Sequence, residues 1–512
     1  MTHAPIGISL TITVEAEVRV KVDGRVWLDK RELEQHHLRN LREKLTITPT
    51  VHAEFANEPP VPILLYKEDE RWFGMPRGFY LANKTSAHEE VCMVSDGMPM
   101  AKFGTKMRFE GPYAEQGNAL DTMVRYTEEN PWGGFILRAG CGFGKTNVAL
   151  EFARRVGKRT LILVHKEFFM RQWRERIEDF FPDAKIGTIQ QDVCEYEGCD
   201  FVIGMLQSIA RDDQSGSKYP DAIYDAFGLV VSDECHRVGA QSWSDIMPRF
   251  NARYRLGLTA TPRRKDGAED AFYYHIGEIL YSAKTNALVP SVKRLRTPIM
   301  MRPVRGPRGK MVDEDKLSHT QIVSQLVDDP LRNKMIADEI AQAVSKGRKV
   351  MVVSERLGHL RTIERELASV LLRMDLPFEP VLDAYTGEWY SGGVDANGEP
   401  RKRTRTEVDL KQAERANVVL ATKQMIEEGL DIPAIDVLVL VTPLGDAEQA
   451  VGRVRRHCKP SETKCKHLCP WRAGACEGKP HPIVVDVVDE KVTRLMNSYK
   501  RRLGFYREIG AI

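Results

Sequence analysis

The stretch FILRAGCGFGKTNVALEF, residues 135–152, decides the fold of this chain. It passes from an apolar strand through a glycine-rich loop into a helical run, so that backbone N–H groups can surround phosphate oxygens at a helix N-terminus. We expect Lys145 to reach the β- and γ-phosphates of a nucleotide and Thr146 to hold Mg²⁺. Ala139 takes the place of the first glycine of the strict pattern. The predicted nucleotide site therefore comprises Gly140, Gly142, Gly144, Lys145 and Thr146.

An acidic pair follows a second apolar strand, GLVVS at residues 228–232. Phosphoryl transfer needs neutralised phosphate charge and a nucleophile in line with the bond that breaks. We expect Asp233 to bind Mg²⁺ and Glu234 to orient or deprotonate the attacking water. The loop and the acidic pair together predict hydrolysis of ATP.

Strand-like and helical segments alternate along most of the chain. Runs such as TLILVH and YRLGLTA precede a Pro/Arg/Gly-rich stretch at 302–310, and KVMVVS and PIVVDVV follow it. This alternation predicts an α/β fold with two tandem parallel sheets and crossover helices. The N-terminal part instead combines short β-like runs with one helical segment, which is typical of an α+β domain. The predicted domains are an N-terminal α+β accessory domain at 1–105, a first parallel-sheet domain at 106–301 and a second at 302–512.

The composition is that of a folded globular protein. Of 512 residues, 42% are hydrophobic and 29% are charged, which excludes a disordered, collagenous or disulfide-scaffold chain. The net charge is +3, so affinity for nucleic acid must come from local basic patches. No apolar run is long enough to cross a bilayer, and the first residues do not resemble a secretion signal. We expect no membrane association and a cytoplasmic location in a prokaryotic or phage-infected cell, or a nuclear one in a eukaryote.

A set of ordered motifs between residues 105 and 460 resembles superfamily 2 helicases of the DExH type. The motifs are the glycine-rich loop at 139–146, LILVHKEFFMRQWRERI at 161–177, DECH at 233–236, TATP at 259–262, AT at 421–422, EGLDIP at 428–433 and QAVGRVRR at 449–456. FMRQWRERI, LGLTATPRRKDG and the spacing of the last motif are similar to the XPB-type branch and its phage branch-migration relatives. The resemblance implies that both parallel-sheet domains are RecA-like and that ATP hydrolysis moves the protein along a nucleic acid. It also implies that the motif at 161–177 touches the nucleic-acid backbone.

The resemblance also implies roles for residues of the later motifs. Gln449, Arg453 and Arg456 would act in catalysis, with the two arginines meeting the charge that develops on the γ-phosphate when both domains close on ATP. His236 would belong to the catalytic group and Asp431 to the nucleotide-binding group. The residues expected to couple hydrolysis to the nucleic acid are Thr259, Thr261, Arg263, Arg264 and Thr422.

Two further features concern nucleotide and polymer binding. Gln116 ends the segment FEGPYAEQ, which resembles a motif whose glutamine contacts adenine; the alternative is a plain surface glutamine on a helix. Short basic runs at 401–403 and 500–502 offer phosphate contacts, and the alternative for each is a solvated charged surface.

Four cysteines lie close together in a polar loop at 457–481, directly after the last motif. A short loop with little core of its own gains folding energy when thiolates bind a tetrahedral Zn²⁺. The predicted ligands of a structural Zn²⁺ are Cys458, Cys465, Cys469 and Cys476, with His457, His467 and His481 in reserve. Because the spacing is not the usual one, an iron–sulfur cluster and unligated thiols remain alternatives.

These features predict an ATP- and Mg²⁺-dependent DNA helicase or translocase that acts on duplex, forked or branched DNA in repair, recombination or replication. It would contact the DNA backbone with little sequence specificity. Residues 1–105 would recognise a DNA structure or bind a protein partner. Two alternatives are an RNA helicase and a recruitment subunit in which ATP switches nucleic-acid affinity without strand separation.

Overall fold

A computed structural model describes residues 20–49, 61–84, 90–140, 142–213, 216–262, 267–284, 287–305, 311–394, 400–427, 430, 432–445, 447–456 and 479–512. The chain divides into two compact units, Met1–Thr285 and Asn286–Ile512. Each unit contains a parallel sheet with helices between its strands. This is the α/β architecture with tandem RecA-like domains that the sequence predicts.

The N-terminal part of the first unit has a sheet of its own. In spatial order its strands are Lys67–Glu68, Trp72–Met75, Val26–Asp29, Val20–Val22 and Glu90–Cys92. The pairings are antiparallel except that of the last two strands. A short ribbon, Thr46–Ile47 with Ile63–Leu64, and the helices Gln35–Lys44 and Arg77–Asn83 complete this α+β part.

This N-terminal sheet shares a hydrophobic core with the parallel sheet of the same unit. Val26 and Phe73 belong to one buried cluster with Ile136 and Leu161. Arg77 is also buried, and its guanidinium donates to the carbonyl oxygens of Ala252 and Arg253 at 2.7 Å each. The predicted accessory segment therefore has its own sheet but packs as part of the first unit.

The main sheet of the first unit has eight strands. Their spatial order is Val193–Cys194, Ile186–Gln190, Phe201–Met205, Thr160–Val164, Leu229–Ser232, Tyr254–Thr259, Gly133–Arg138 and Ile279–Ser282. All neighbours are parallel except the first pair. The strand that leads into the glycine-rich loop and the strand that leads into the acidic pair flank Tyr254–Thr259, so the carboxyl ends of all three lie at one sheet edge.

The described helices that follow the N-terminal part of this unit differ in length. They span Ala114–Glu129, Lys145–Val156, Glu167–Phe180, Leu206–Ile209, Ala240–Ile246 and Asp270–His275. The helix Lys145–Val156 ends at Gly157, whose φ of +67° suits a left-handed C-terminal residue. A short antiparallel ribbon joins Asp212–Asp213 to Gly216–Ser217.

The second unit is built on a six-stranded parallel sheet. Its strands in spatial order are Ser291–Thr297, Ile483–Asp489, Val437–Leu440, Val350–Ser354, Val418–Thr422 and Leu382–Tyr385. Its helices are His319–Asp328, Pro330–Ser345, Leu357–Leu371, Glu407–Ala413, Lys423–Glu427, Glu448–Val454 and Thr493–Glu508. An exposed hairpin, Glu388–Val394 with Pro400–Thr404, carries the basic run 401–403.

The boundary between the units differs from the predicted one at residue 301. Ser291–Thr297 pairs in parallel with Ile483–Asp489 and therefore belongs to the second unit. The predicted linker at 302–310 also lies inside this unit, where Val304–Arg305 pairs with Met311–Val312. The strand SVKRLRT has few apolar residues and a partner far along the chain, so local hydrophobic pattern did not reveal it.

Candidate active site

The glycine-rich loop connects the strand Gly133–Arg138 to the helix that begins at Lys145. Gly142 and Gly144 have φ values of +85° and +88°, in the left-handed region that glycine adopts without strain. A β carbon on Gly144 would also lie 2.8 Å from the side-chain nitrogen of Gln116. Lys145 bends back over the loop and donates to the carbonyl oxygen of Ala139 at 3.0 Å. The loop thus has the strand–turn–helix geometry that the sequence predicts.

Gln116 touches this loop directly. It lies on the helix Ala114–Glu129, and its Nε2 donates to the carbonyl oxygen of Phe143 at 2.5 Å. The start of that helix is held by Glu115, whose carboxylate accepts from the Tyr281 hydroxyl at 2.9 Å and from the backbone N–H of Lys284 at 3.0 Å. Gln116 is therefore more than a solvated helix residue, because it joins the helix to the predicted phosphate-binding turn.

The acidic pair lies at the end of the strand Leu229–Ser232. Asp233 continues the strand, and its backbone N–H donates to the carbonyl oxygen of Leu163 at 3.1 Å. Glu234 then turns sharply, with a φ of +46°. A residue other than glycine in this conformation costs about 1–3 kcal/mol, and such strain concentrates at functional sites. The turn brings Glu234 Oε1 to 3.7 Å from Lys145 Nζ, so the structure joins the acidic pair to the loop.

The two carboxyl groups have opposite pKa shifts. Burial and the neighbouring charge of Glu234 raise the pKa of Asp233 to about 6. Burial also opposes ionisation of Glu234, but the positive charges of Lys145, His236 and Arg237 outweigh it and hold the pKa of Glu234 below its usual value. Glu234 is thus kept as a carboxylate, as a group that accepts a proton from water must be.

His236 connects the acidic pair to the TATP segment. Its Nδ1 lies 2.8 Å from the Thr259 hydroxyl and 3.4 Å from Glu234 Oε2, while its Nε2 lies 3.4 Å from the Thr261 hydroxyl. The Thr261 backbone N–H donates to Thr259 Oγ1 at 3.1 Å. A change at Glu234 can therefore reach both threonines through one imidazole ring.

Trp173 is a contact of this site that the sequence prediction did not single out. Its indole Nε1 donates to Asp233 Oδ2 at 2.8 Å. Trp173 lies in the motif at 161–177. The sequence predicts that this motif touches the nucleic-acid backbone and gives it no contact with the ATP site. A buried indole N–H needs a hydrogen-bond acceptor, so a tryptophan on the apolar face of a helix indicates that such an acceptor lies nearby. The sequence could not show that this acceptor is Asp233.

The first unit offers oxygen ligands of the kind that Mg²⁺ prefers. They are the hydroxyl of Thr146, next to Lys145 on the same helix, and the carboxylate of Asp233. The Asp233 carboxylate is buried beside the negative charge of Glu234, which a divalent cation bound there would offset. The residues present therefore fit the predicted magnesium–nucleotide site.

The predicted catalytic residues of the second unit lie in and just after the helix Glu448–Val454. Arg453 is 9% exposed, and its Nη2 donates to the carbonyl oxygen of Ile426 at 2.8 Å. Gln449 and Arg456 are partly exposed, and Thr422 ends the strand Val418–Thr422. Gln449, Arg453 and Arg456 thus lie in one short segment, while their role in hydrolysis stays a prediction.

Several predicted residues lie outside the described part of the chain, namely Arg263, Arg264, Asp431, Cys458, Cys465, Cys469, Cys476, His457 and His467. His481 is described, and its Nε2 lies 3.0 Å from the hydroxyl of Ser291. Within the described ranges, one group of side chains has ligand atoms close enough to hold a metal ion, Glu34 with His36 and His37 on the surface of the N-terminal part.

Comparison with known proteins identifies helicases as the relatives of this chain. Residues 111–264 match the family described as "Type III restriction enzyme, res subunit". A putative ATP-dependent RNA helicase, L396 of Acanthamoeba polyphaga mimivirus, is 26% identical over 493 residues, which cover 94% of this chain and 83% of that protein. The DNA 3'-5' translocase XPB2 of Sulfurisphaera tokodaii is 33% identical over 153 residues, or 30% of this chain and 33% of that protein.

Among solved structures, the crystal structure of T4 UvsW matches 96% of this chain and 98% of its own, with 16% identity and a TM-score of 0.38. The sequence relatives confirm the predicted resemblance to superfamily 2 helicases, including the XPB-type branch. They support ATP-dependent action on nucleic acid. None of the described helices is both long and apolar enough to span a bilayer.

Proposed function

We propose that this chain is an ATP- and Mg²⁺-dependent DNA translocase or helicase that acts on duplex, forked or branched DNA. The observation that carries the proposal is the contact between the glycine-rich loop and the DExH pair, where Lys145 Nζ lies 3.7 Å from Glu234 Oε1. A lysine for phosphate oxygens and an ionised glutamate for water are the two groups that ATP hydrolysis requires at one place.

The residues of the first unit have distinct roles in this proposal. Lys145 exchanges its contacts with Ala139 and Glu234 for phosphate oxygens, and Glu234 accepts the proton of the attacking water. Thr146 and Asp233 would hold Mg²⁺, which would supply positive charge against the phosphates. Gln116 contacts the loop through a hydrogen bond to the carbonyl oxygen of Phe143. His236 passes the resulting change to Thr259 and Thr261, which lie in the segment that couples hydrolysis to the nucleic acid in the helicases this chain resembles.

DNA is the proposed polymer because the segments at 169–177, 256–267 and 449–456 are similar to the XPB-type branch, and one relative is named a DNA translocase. RNA is the second candidate. The observation in its favour is the mimivirus relative, which is named a putative RNA helicase and matches most of this chain. Both candidates use the same ATP site, since superfamily 2 motors contact mainly the phosphate backbone.

A strand-displacement assay separates the two candidates. The full-length protein is incubated with ATP and Mg²⁺ on labelled DNA forks, on RNA forks of the same sequence and on a DNA duplex carrying a third strand, with Lys145→Ala as the control. Release of a strand from DNA forks or of the third strand, by the wild type alone, supports the DNA proposal. Release from RNA forks alone favours the RNA helicase. Absence of release together with ATP-dependent polymer binding favours the recruitment subunit.

The cysteine cluster remains a proposal that rests on sequence. Cys458, Cys465, Cys469 and Cys476 are proposed to bind one structural Zn²⁺. Metal analysis of the purified protein should find about one zinc per chain, and Cys465→Ser should lower that content. Iron in place of zinc would favour the iron–sulfur alternative.

A further inference from the structure

The Asp233 carboxylate is anchored at both oxygens. Oδ1 accepts from the backbone N–H of Glu234 at 3.0 Å, and Oδ2 accepts from the indole N–H of Trp173 at 2.8 Å. Two donors, one on each oxygen, fix the plane of a carboxylate. Each oxygen still has a further lone pair, because a carboxylate offers about four acceptor sites. The anchoring therefore orients Asp233 without occupying its capacity to bind a cation.

Trp173 is well suited to hold a neighbour in place. It lies in the helix Glu167–Phe180, is 1% exposed and packs within the hydrophobic cluster that contains the strand residues Ile162 and Val164. A side chain so enclosed has little freedom to change rotamer. The indole N–H is a donor only, so Trp173 cannot itself bind a cation or accept a proton.

Within the described part of the chain, two other buried indoles donate hydrogen bonds, one to a backbone carbonyl and one to a carboxylate away from the glycine-rich loop. Trp243 donates to the backbone carbonyl of Cys235 at 3.1 Å, and Trp132 donates to Glu90 Oε2 at 3.0 Å, in the N-terminal part. A purely structural indole can use either kind of acceptor. Trp173 instead donates to the carboxylate that continues the strand beside the glycine-rich loop.

We propose that Trp173 is a positioning residue that fixes the Asp233 carboxylate in the orientation needed to bind the magnesium–nucleotide complex. The inference deepens the proposed function and rests on it. Hydrogen-bond partners that orient a metal ligand typically change metal affinity by about 10- to 100-fold when they are removed. The hydrogen bond from Trp173 to Asp233 also connects the motif at 161–177, which is predicted to contact nucleic acid, directly to the proposed ATP site.

The test measures nucleotide binding as well as turnover. A fluorescent, non-hydrolysable ATP analogue is titrated into the full-length protein in EDTA and at increasing Mg²⁺ concentrations, and the Mg²⁺ dependence of ATP hydrolysis is measured in parallel. The variants are Trp173→Phe and a chain with 3-benzothienylalanine at position 173, which keeps the ring volume but lacks the N–H. Trp132→Phe is the matched control, because it removes another buried indole from the same unit away from the ATP site.

Both changes at position 173 should raise the Mg²⁺ concentration for half-maximal analogue binding about tenfold, while binding in EDTA stays as in the wild type. Trp132→Phe should leave both quantities unchanged. Wild-type Mg²⁺ dependence in the benzothienylalanine protein would overturn the inference, even if Trp173→Phe were misfolded. Failure of the proposed function looks different, because the wild type itself would then bind the analogue no better with Mg²⁺ than in EDTA.

Discussion

The proposed chemistry depends on two adjacent carboxyl groups whose pKa values move in opposite directions. Burial and the charge of Glu234 raise the pKa of Asp233, whereas Lys145 and two further basic residues keep Glu234 ionised. Glu234 also occupies a strained backbone conformation with a φ of +46°. The positive charges around Glu234 therefore favour a proton acceptor at position 234, and the hydrogen bonds to both Asp233 oxygens orient a carboxyl group that could bind a cation.

Replacing Glu234 with Gln should separate ATP binding from hydrolysis. The amide keeps the size of the side chain but cannot accept the proton of water, so kcat should fall by about 100-fold or more while ATP affinity stays within a few-fold of the wild type. Steady-state hydrolysis and nucleotide titration measure the two quantities. Glu128→Gln, an exposed change on the helix Ala114–Glu129, is the control. Normal turnover in Glu234→Gln would disprove the role given to this residue.

His359 gives the second unit a predictable response to acid. It is fully buried, with Nδ1 3.2 Å from the Ser354 hydroxyl and Nε2 3.0 Å from Asn333 Oδ1. Burial, and then the positive charge of Arg332, lower the pKa of His359 to about 3. The histidine of the unfolded chain has a pKa of about 6.5. Between about pH 6.5 and pH 3 the unfolded chain therefore binds a proton at this residue, whereas the folded unit keeps His359 neutral. The stability contributed by neutral His359 is complete above about pH 6.5 and is lost as the pH falls towards 3.

His359→Gln should consequently be less stable than the wild type at pH 7.5, and the difference should narrow as the pH falls below about 6.5. One proton changes the free energy of unfolding by at most about 1.4 kcal/mol per pH unit. Urea unfolding at pH 7.5, 6.5 and 5.5 tests this. A constant difference between the two proteins across that range would contradict the assignment.

At the level of single elements, buried arginines join the N-terminal part to the strand that precedes the TATP segment. Arg255, on the strand Tyr254–Thr259, is 1% exposed. Its guanidinium donates at 2.8 to 3.0 Å to the carbonyl oxygens of Gly24, Met247, Phe250 and His275. The burial lowers the pKa of Arg255 well below its usual value. A strand residue of the first parallel sheet thus satisfies carbonyl groups from three separate parts of the unit.

Arg255→Met should destabilise the first unit by about 3 kcal/mol, because buried carbonyl groups lose their donors and each unsatisfied group costs about 1–3 kcal/mol. Urea denaturation measures the loss, and hydrogen–deuterium exchange of the strand Tyr254–Thr259 assigns it to this unit. Arg39→Met, at an exposed position, should change stability by less than about 0.5 kcal/mol. Equal stability of the two variants would show that the buried network contributes little.

The local structure around the predicted ATP-site motifs could be foreseen from the sequence, whereas the roles of their residues stay predictions. The loop at Lys145 and the acidic pair at Asp233 follow apolar strands, and the chemistry of each motif is complete within a few residues. The roles of Arg77, Arg255 and Trp173 could not be predicted, because the acceptors of their hydrogen bonds lie far along the chain. A charged residue in a sequence is normally expected at the surface. It can be buried when carbonyl oxygens from distant parts of the chain accept its hydrogen bonds, and the sequence does not show that arrangement.

On the scale of the whole molecule, the chain combines a proposed ATP site in its first unit with a net charge of only +3. The general electrostatic field therefore provides little attraction for nucleic acid, and binding must come from specific backbone contacts. The relatives act on different polymers according to their names, one on RNA and one on DNA. Polymer-stimulated ATP hydrolysis is therefore the property that the DNA and RNA candidates share.

The most direct test is the rate of ATP hydrolysis by the purified full-length protein with no polymer, single-stranded DNA, duplex or branched DNA and structured RNA, with Lys145→Ala as the blank. We predict strong stimulation by duplex or branched DNA and no hydrolysis above background by Lys145→Ala with any polymer. Stimulation by RNA alone would contradict the DNA assignment and leave the ATP site intact. Equal rates for the wild type and Lys145→Ala under every condition would contradict the central claim that the loop at Lys145 and the DExH pair form an ATP-hydrolysing site.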